Sequence, residues 1–432
     1  MGLGSIVMVG MAGTLSDRFG RRPVLFLAIA AFLFVTVPNL LVEYSHSIRS
    51  GWRIFFITCT ALCGLMGGMS MVLLSLFAYV ADCAPEESRS TAFTIVEAAI
   101  GTGGLIGDLA GGYCMDLLGP RAVFWALIVI LIVLLFYCAL MPESLPSEVR
   151  SQSIDWRMLN SFYSLSCFFD SRLLRPRRHI IWMAAAFLLA YFTVQGLDGV
   201  STPYLSAAPL SFSDSRIGIV NCIGLAGRMT AGLLFAPWFE RNFPGENEEL
   251  WLVRITLFFY GAFVALIGFG VGLPDLSSYS YVSGFCSALA FGYMRGLFSK
   301  SADADMQGRM LGGITFIVAA SQVGDPFYDD KKHMNMHVYI ISIAFLNLCM
   351  ISSPFLFFFF TNSINCTTHS PLSLPILFSL PIHKHTHTHT HTHTYLHTHK
   401  YTHTHTHFVI LAFSSVWHTN FESFPESFPS TL

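Results

Sequence analysis

The stretch "GTLSDRFGRR", from Gly13 to Arg22, places two glycines, a carboxylate and three arginines between two apolar segments. Gly13 and Gly20 permit close backbone packing and a tight turn, because glycine lacks a Cβ atom. Asp17 is suited to lie near a helix N-terminus or beside an arginine of a neighbouring helix. Three cations can hold the segment to carboxylates and to a membrane face: Arg18, Arg21 and Arg22. We interpret the stretch as a charged loop between two helices.

The composition around this stretch is that of a membrane protein. Of the 432 residues, 53% are apolar and only 12% are charged, and the mean hydropathy is +0.57. A soluble domain has roughly 25% charged residues, so a chain this apolar is expected to cross a bilayer several times. The net charge of −2 does not indicate the basic surface that binding to nucleic acid requires. The ten cysteines are scattered, which indicates neither a disulfide framework nor a metal site.

A spanning helix needs about 20 predominantly apolar residues. The candidate spans are Pro23–Val42, Ile54–Val80, Thr91–Tyr113, Ala122–Leu140, Ile180–Val200, Ile217–Trp238, Leu252–Gly272, Tyr279–Phe298 and Met310–Val323. The opening segment Met1–Gly13 is too short to span and reads as the end of a helix cut off by the start of the chain.

A long basic gap separates the candidate spans into two groups. The gap Pro142–Arg178 contains six arginines, so the positive-inside rule predicts that it lies in the cytoplasm, together with the loop Leu15–Arg22. We therefore predict an N-terminal bundle at 1–141, a cytoplasmic basic loop at 142–178 and a C-terminal bundle at 179–330. Two bundles on either side of a basic loop suggest a duplicated transporter.

The stretch Gly13–Arg22 matches the pattern G-x-x-x-D-R-x-G-R-R, and in this it resembles the loop between the second and third helices of major facilitator superfamily transporters. The resemblance implies an all-α polytopic membrane protein with the two-bundle fold. It also implies that the first helix is missing and the twelfth is replaced. The six motif residues Gly13, Asp17, Arg18, Gly20, Arg21 and Arg22 would form a cytoplasmic gate, and Asp17 and Arg22 are the two on which we expect the closed gate to depend.

Three longer stretches resemble the proton-coupled folate transporter group of solute carriers. They are "FAYVADCAPEESRSTAFTIVEAAIGTGGLIGDLAGG" at 77–112, "STPYLSAAPLSFSDSRIG" at 201–218 and "GYMRGLFSKSADADMQGRMLGGI" at 292–314. The charged loop and "YVAD" are also similar to bacterial tetracycline:proton antiporters. Two positions depart from the folate transporter group. Val194 and Gln195 stand where that group has a seventh-helix histidine, and Leu65 replaces a fourth-helix aspartate, which makes folate itself doubtful as the solute.

Ionisable residues inside spanning helices are rare and mark functional sites. Glu97, within "VEAAIG", corresponds to a glutamate that the folate transporter group uses for proton coupling, and an apolar site would let it take up a proton near neutrality. Arg295 corresponds to an arginine of the substrate and proton pathway in that group. Arg228 and Asp198 are further pathway candidates. Because the fifth and eighth helices meet in this fold, Arg228 is expected to be a partner of Glu97, and Arg295 is the alternative.

The C-terminal region 331–432 reads differently from the rest of the chain. Its stretch "HKHTHTHTHTHTYLHTHKYTHTHTHF", 383–408, is what a (CA)n microsatellite yields when it is translated. We expect a disordered low-complexity tail, or read-through of noncoding sequence after about Asp330. A zinc-binding or nickel-binding tail is the alternative.

These observations predict secondary active transport of a small organic, anionic solute, coupled to protons, by an integral multi-pass protein of the plasma membrane or of a lysosomal or endosomal membrane. Two alternatives stay open. One is a drug:proton antiporter of the same fold, and the other is a non-transporting membrane receptor or a nonfunctional truncated product. The sequence shows no catalytic triad, nucleotide-binding glycine loop or metal-protease helix, so we expect neither an enzyme nor a cofactor.

Overall fold

The computed structural model describes residues 2–44, 49–145, 150, 160–170, 173–206, 210–270, 272–302 and 306–321. These residues form α1 (Gly2–Phe19), α2 (Arg21–Tyr44), α3 (Arg49–Leu65), α4 (Gly68–Cys83), α5 (Arg89–Leu118), α6 (Pro120–Leu140), α7 (Arg177–Ser206), α8 (Asp214–Thr230), α9 (Ala236–Asn242), α10 (Glu246–Ile267), α11 (Leu273–Lys300) and α12 (Gln307–Ser321). A 3₁₀ helix at Ser161–Phe169, called the linker helix below, lies between α6 and α7, and a π-helical turn at Ala231–Phe235 joins α8 to α9. Within the described ranges the protein has no β-strand, as the all-α prediction requires.

Most of the predicted spans coincide with observed helices. Within the described ranges, seven segments are long and apolar enough to cross a membrane, and they match the first seven spans expected from the sequence. The two remaining spans, Tyr279–Phe298 and Met310–Val323, correspond to α11 and α12, which are helical but fall outside that group. The large exposed side chains of α6, such as Trp125, Ile132 and Phe136, fit a surface that faces lipid.

The charged stretch Gly13–Arg22 is not the loop that its sequence suggests. Helix α1 continues to Phe19 and α2 begins at Arg21, so Gly20 alone connects them. Gly20 has a φ of +105°, a left-handed conformation that only glycine adopts without strain. The expectation that the opening segment ends at Gly13 is also wrong, because the helix extends through most of the motif.

The span predicted as one helix at Ile54–Val80 is broken into α3 and α4. Gly67 and Gly68 have φ values of +91° and +49°, which no right-handed helix contains. An apolar run carries no signal for such a break except the two glycines, and glycine in a membrane helix is common enough to pass unnoticed. The predicted span Ile217–Trp238 is likewise interrupted, by the π-helical turn.

The helices pack as two bundles that meet along a shared interface. In the first bundle α2 packs against α4 and α6, and in the second α11 packs against α8 and α10. Across the interface α1 lies against α12, while α5 lies against α8 and α11. Glu97, Arg228 and Arg295 lie on these interface helices.

The linker helix Ser161–Phe169 packs where the two bundles meet. Ser164 Oγ donates a hydrogen bond to the backbone carbonyl of Gly10 on α1, at 2.5 Å. Immediately after the helix, Asp170 forms an ion pair with Arg309 on α12, at 3.0 Å. The linker helix therefore holds α1 and α12, which belong to different bundles.

The predicted bundle limits at 141 and 178 stay predictions, although α6 ends at Leu140 and α7 begins at Arg177. The predicted tail at 331–432, including the His-Thr repeat, lies outside the described residues.

Candidate functional site

Glu97 on α5 and Arg295 on α11 form an ion pair between the two bundles, in which Arg295 Nη1 donates to Glu97 Oε1. Each residue exposes only 3% of its surface. The helices can approach this closely because α11 has glycine at 292, where an added Cβ would lie 2.6 Å from the Cα of Thr94 on α5. The close approach brings two charges of opposite sign together where water is excluded.

Aromatic rings surround the guanidinium of Arg295. Its Cζ lies 4.2 Å from the ring centre of Phe77 on α4, 5.5 Å from that of Phe187 and 5.3 Å from that of Tyr191 on α7. A cation over an aromatic face in a desolvated site gains about 2 kcal/mol. Arg295 Nη2 also donates a hydrogen bond to the hydroxyl of Tyr191. Arg295 is therefore held by both bundles at once.

A cavity of about 530 Å³ lies on one side of this pair, and its volume is typical of sites for small organic ligands. Along α11 its lining residues run from Leu276 to Phe291 and end before Arg295. Polar and charged side chains contribute to the wall: Glu97, Tyr191, Gln195, Asp198, Asn221 and Arg228. Glu97 and Tyr191, the two oxygen partners of Arg295, thus face the cavity.

Arg228 and Asp198 both line the cavity, and their role in a pathway stays a prediction; Arg228 does not pair with Glu97. Arg295 is the arginine that forms that ion pair. Arg228 packs at the level of Gly101, where an added Cβ would lie 3.0 Å from the arginine Cβ. Gly101 lies four residues, or about 6 Å, further along α5 than Glu97. Of the two arginines considered as partners of Glu97, Arg295 is therefore the one that forms the ion pair.

Arg21, rather than Arg22, is the ion-pair partner of Asp17. Arg21 exposes 1% of its surface, and its Nη1 lies 2.7 Å from Asp17 Oδ1 while its Nε lies 2.9 Å from Asp82 Oδ2 on α4. Arg22 instead directs a side-chain nitrogen to the carbonyl of Met141, at 3.4 Å. Successive helical residues point about 100° apart, so only one of two adjacent arginines can face the same carboxylates.

Asp17 also contacts the opposite bundle. Its carboxylate lies against the first turn of α12, beside Gly308. A Cβ added to Gly308 would collide with this carboxylate, and one added to Gly13 would lie 2.9 Å from the Cα of Gly312. A carboxylate at a helix N-terminus is favoured by the helix dipole. Arg18, in the last turn of α1, is half-buried beside this contact.

A second buried ion pair lies at the same end of the molecule. Lys300 Nζ, in the last turn of α11, is 2.8 Å from Glu249 Oε1 in the first turn of α10. Ser90 on α5 donates a hydrogen bond of 3.0 Å to Glu249 Oε2, which connects the pair to the other bundle. Both charged clusters thus lie beyond the Glu97–Arg295 pair, on the side away from the cavity.

The sequence reasoning missed several of these residues. Tyr191 and Phe77 look like ordinary core aromatics in apolar helices, so their sequence carries no signal of their contact with Arg295. Asp82, Glu249 and Lys300 fall at helix ends and were counted as loop charges. A charge in the first or last turn of a spanning helix could have been treated as a candidate for a partner on the adjacent helix.

No cluster of three or more His, Cys, Asp or Glu side chains suited to a metal ion occurs among the described residues. The histidine-rich repeat, for which a metal-binding alternative stayed open, lies outside them.

Comparison with known proteins places the chain beside membrane transporters. The family model described as Major Facilitator Superfamily matches residues 1–324. The proton-coupled folate transporter of Rattus norvegicus is 29% identical over 212 residues, which cover 48% of this chain and 44% of that protein. Hippocampus abundant transcript-like protein 1 of Homo sapiens is 26% identical over 322 residues, covering 73% and 58%. The chain thus spans about half the length of the curated relatives it matches.

Solved structures show the same fold. The human organic anion transporter MFSD10 superposes with a TM-score of 0.65 at 20% identity, covering 83% of this chain and 81% of that one. The proton:xylose symporter XylE superposes with a TM-score of 0.56 at 16% identity, covering 83% of each chain. At these identities the likeness concerns the fold alone.

Proposed function

The chain belongs to the Major Facilitator Superfamily, and from that premise we propose that it carries a small organic anion across a membrane by alternating access, with a proton as the coupled ion. Members of this family are multi-pass membrane transporters rather than enzymes. The solute, the proton coupling and the role of each residue below belong to the proposal.

The observation that supports the proposal is the Glu97–Arg295 ion pair at the floor of the cavity. Removing one partner of a buried pair leaves an uncompensated charge and costs about 3–5 kcal/mol. A proton that neutralises Glu97 therefore leaves Arg295 in need of another anion. An anionic solute in the cavity supplies that charge, so proton and solute favour each other's binding and move together.

Alternating access requires that one side of the interface opens while the other closes. The cavity lies on one side of the Glu97–Arg295 pair, and the Arg21 and Lys300 clusters close the other side. Under the positive-inside orientation the closed side is cytoplasmic. The cavity then faces the exterior, or the lumen of an acidic organelle, from which an inward proton gradient would drive uptake.

The solute class follows from the charges of the cavity rather than from a single relative. A relative of this chain is named as a folate transporter, but the departures at Leu65, Val194 and Gln195 argue for a different organic anion. Arg228 places a cation in the cavity wall, in addition to Arg295 behind it, and favours a negatively charged solute.

An antiporter that exchanges a cationic drug for protons is the second candidate. Asp198 lines the same cavity as Glu97, and two carboxylates in one cavity favour a cation. The direction of gradient-driven flux distinguishes the candidates, because a symporter accumulates its solute down the proton gradient while an antiporter expels it.

The test uses the full chain in liposomes, with radiolabelled folate and a panel of smaller aromatic carboxylates as probes. Glu97→Gln fixes this position in the neutral form. We expect it to abolish accumulation driven by an inward proton gradient and to preserve exchange at equal pH, since exchange needs no proton release. Glu248→Gln removes an exposed carboxylate from α10 and serves as the control. If a folded Glu97→Gln protein loses gradient-driven accumulation and exchange to the same extent, the coupling proposal is wrong.

A further inference from the structure

Tyr191 is the second oxygen partner of Arg295, beside Glu97. The two amino groups of the guanidinium are divided between them, Nη1 toward Glu97 and Nη2 toward the Tyr191 hydroxyl. Both partners line the cavity, whereas Arg295 lies behind them. Anything that reaches Arg295 from the cavity must therefore pass these two oxygens.

The hydrogen bond from Nη2 fixes the direction of Nη1. A guanidinium is a planar, rigid fork of donors, so holding one of its amino groups orients the other. The Tyr191 phenol is neutral at physiological pH and satisfies one donor without neutralising the cation. When Glu97 takes up a proton, Tyr191 keeps Nη1 directed at the position that the carboxylate occupied.

The ring of Tyr191 is firmly held, so its hydroxyl has a defined position. Its centre lies 4.9 Å from that of Phe187 and 4.5 Å from that of Phe291, and the residue exposes 8% of its surface. The hydroxyl oxygen accepts from Arg295, which leaves its own hydrogen to donate. Among the described residues no side chain or carbonyl is found that accepts this hydrogen, and Tyr191 is one of the residues that line the cavity.

We propose that Tyr191 and Arg295 together form a carboxylate-binding site. A carboxylate of the solute takes the place of protonated Glu97 and accepts one hydrogen bond from Arg295 Nη1 and one from the Tyr191 hydroxyl. This assignment rests on the proposed transport of an organic anion and specifies the chemical group that the cavity recognises. Tyr191 touches the solute directly and also positions the arginine.

The site distinguishes a carboxylate from its amide. A carboxylate accepts both hydrogen bonds and neutralises the cation, whereas the NH₂ group of an amide would oppose a donor. Losing one hydrogen bond to a charged group reduces affinity by about tenfold or more. Removing the Tyr191 hydroxyl should therefore weaken carboxylate binding and have little effect on amides.

The test titrates the purified full chain with 4-aminobenzoylglutamate and with its diamide, and follows binding by calorimetry between pH 5.5 and 7.5. Tyr191→Phe retains the ring and should weaken binding of the carboxylate by about tenfold. Tyr79→Phe is the matched control, since it removes a buried hydroxyl that bonds Pro142 within one bundle, away from the cavity. Glu97→Gln should make the affinity for the carboxylate independent of pH. Adding Tyr191→Phe to this variant should still lower the affinity about tenfold. If Tyr191 acted only through Glu97, the second substitution would have no further effect.

Each outcome has a distinct meaning. Failure of the wild-type chain to prefer the carboxylate overturns the proposed anion transport, and the site with it. Preference for the carboxylate by wild type and Tyr191→Phe alike overturns only the role of Tyr191. If Tyr191→Phe does not fold, Arg295→Lys replaces it, because lysine keeps the charge but lacks the fork. An unchanged carboxylate preference in that variant would equally contradict the site.

Discussion

Lys300 at the end of α11 pairs with Glu249 at the start of α10, with 2.8 Å between Nζ and Oε1. The pair repeats, with charges exchanged, the contact of Asp82 near the end of α4 with Arg21 at the start of α2. In a fold built of two related halves, α10 and α11 occupy the places of α2 and α4. We infer that the two ion pairs are equivalent, and that each stabilises the contact between two helices of one bundle.

Exchanging the charges of the Lys300 pair tests this equivalence. Lys300→Glu or Glu249→Lys alone should lower the free energy of unfolding by about 3–5 kcal/mol, because each places like charges together in a buried site. The double exchange restores an attractive pair and should recover at least half of that loss. Denaturant unfolding of the purified protein measures all three. Single variants within about 1 kcal/mol of wild type would show that the pair does not fasten the bundle.

Adjacent arginines of the charged stretch should differ sharply in importance. Arg21→Ala leaves Asp17 and Asp82 buried without their shared cation and should remove most transport. Arg22→Ala should retain most transport, because its side chain bonds only one carbonyl in the described structure. Uptake normalised to surface expression measures both.

Asp17→Asn tests the contact between bundles separately. It keeps the size of the side chain that lies against Gly308 but loses the charge that pairs with Arg21. We expect normal surface expression with reduced transport, since the closed side of the interface is weakened. A normal transport rate in this variant would exclude a gating role for the contact.

Cys167 in the linker helix reports whether that helix is docked. Burial raises the pKa of its thiol to about 12, so its thiolate fraction at pH 7.5 is about a thousandfold below that of an ordinary cysteine. Labelling by N-ethylmaleimide should be correspondingly slow and should accelerate with rising pH up to that pKa. Asp170→Asn breaks the ion pair with Arg309 and should speed labelling by releasing the helix. Peptide mass spectrometry measures labelling at this one cysteine, and rapid modification in wild type at pH 7.5 would contradict the docked position.

The sequence predicted the features that depend on composition, such as the membrane spans and the charges within them. It did not predict which residues of neighbouring helices lie at the same level and contact each other. Glu97 and Arg295 stood out because charges are rare in apolar helices, whatever the packing. Whether Arg228 or Arg295 pairs with Glu97 could not be decided from the sequence, because the level at which two helices cross is set by small residues such as Gly292 and Gly101 on both surfaces. The sequence favoured Arg228, whereas Arg295 forms the ion pair.

Local backbone geometry explains the remaining errors. The single-residue turn depends on a positive φ at Gly20, and the break between α3 and α4 depends on positive φ values at Gly67 and Gly68. The sequence shows that a glycine is present but not which φ it adopts. Tyr191 was missed because a tyrosine in an apolar helix is ordinary core until a cation is found beside its hydroxyl. Charge and hydropathy thus predicted the class of fold and the site's charged residues, while geometry determined the contacts.

Gly292 should control the distance between the two residues of the central pair. A Cβ added there would lie 2.6 Å from the Cα and 2.8 Å from the Cβ of Thr94, closer than packed atoms approach, so α5 and α11 would have to separate. We expect Gly292→Ala to lower the free energy of unfolding by about 1–3 kcal/mol through overpacking. It should also weaken proton-driven uptake, because Glu97 and Arg295 lie less than one turn away on either helix.

Gly218→Ala on α8 provides the matched control, since no heavy atom lies within 4 Å of an added Cβ there. At this position alanine should be neutral or should stabilise the helix by about 0.5–1 kcal/mol, because glycine is the poorer helix former. Denaturant unfolding and liposome uptake are measured on both variants in parallel. If the two variants have the same stability and the same uptake, the distance between α5 and α11 does not determine the function of the ion pair. The close approach at Gly292 then has no part in coupling. If only Gly292→Ala loses both stability and gradient-driven uptake, the Glu97–Arg295 ion pair depends on the close approach of α5 and α11 that the glycine permits.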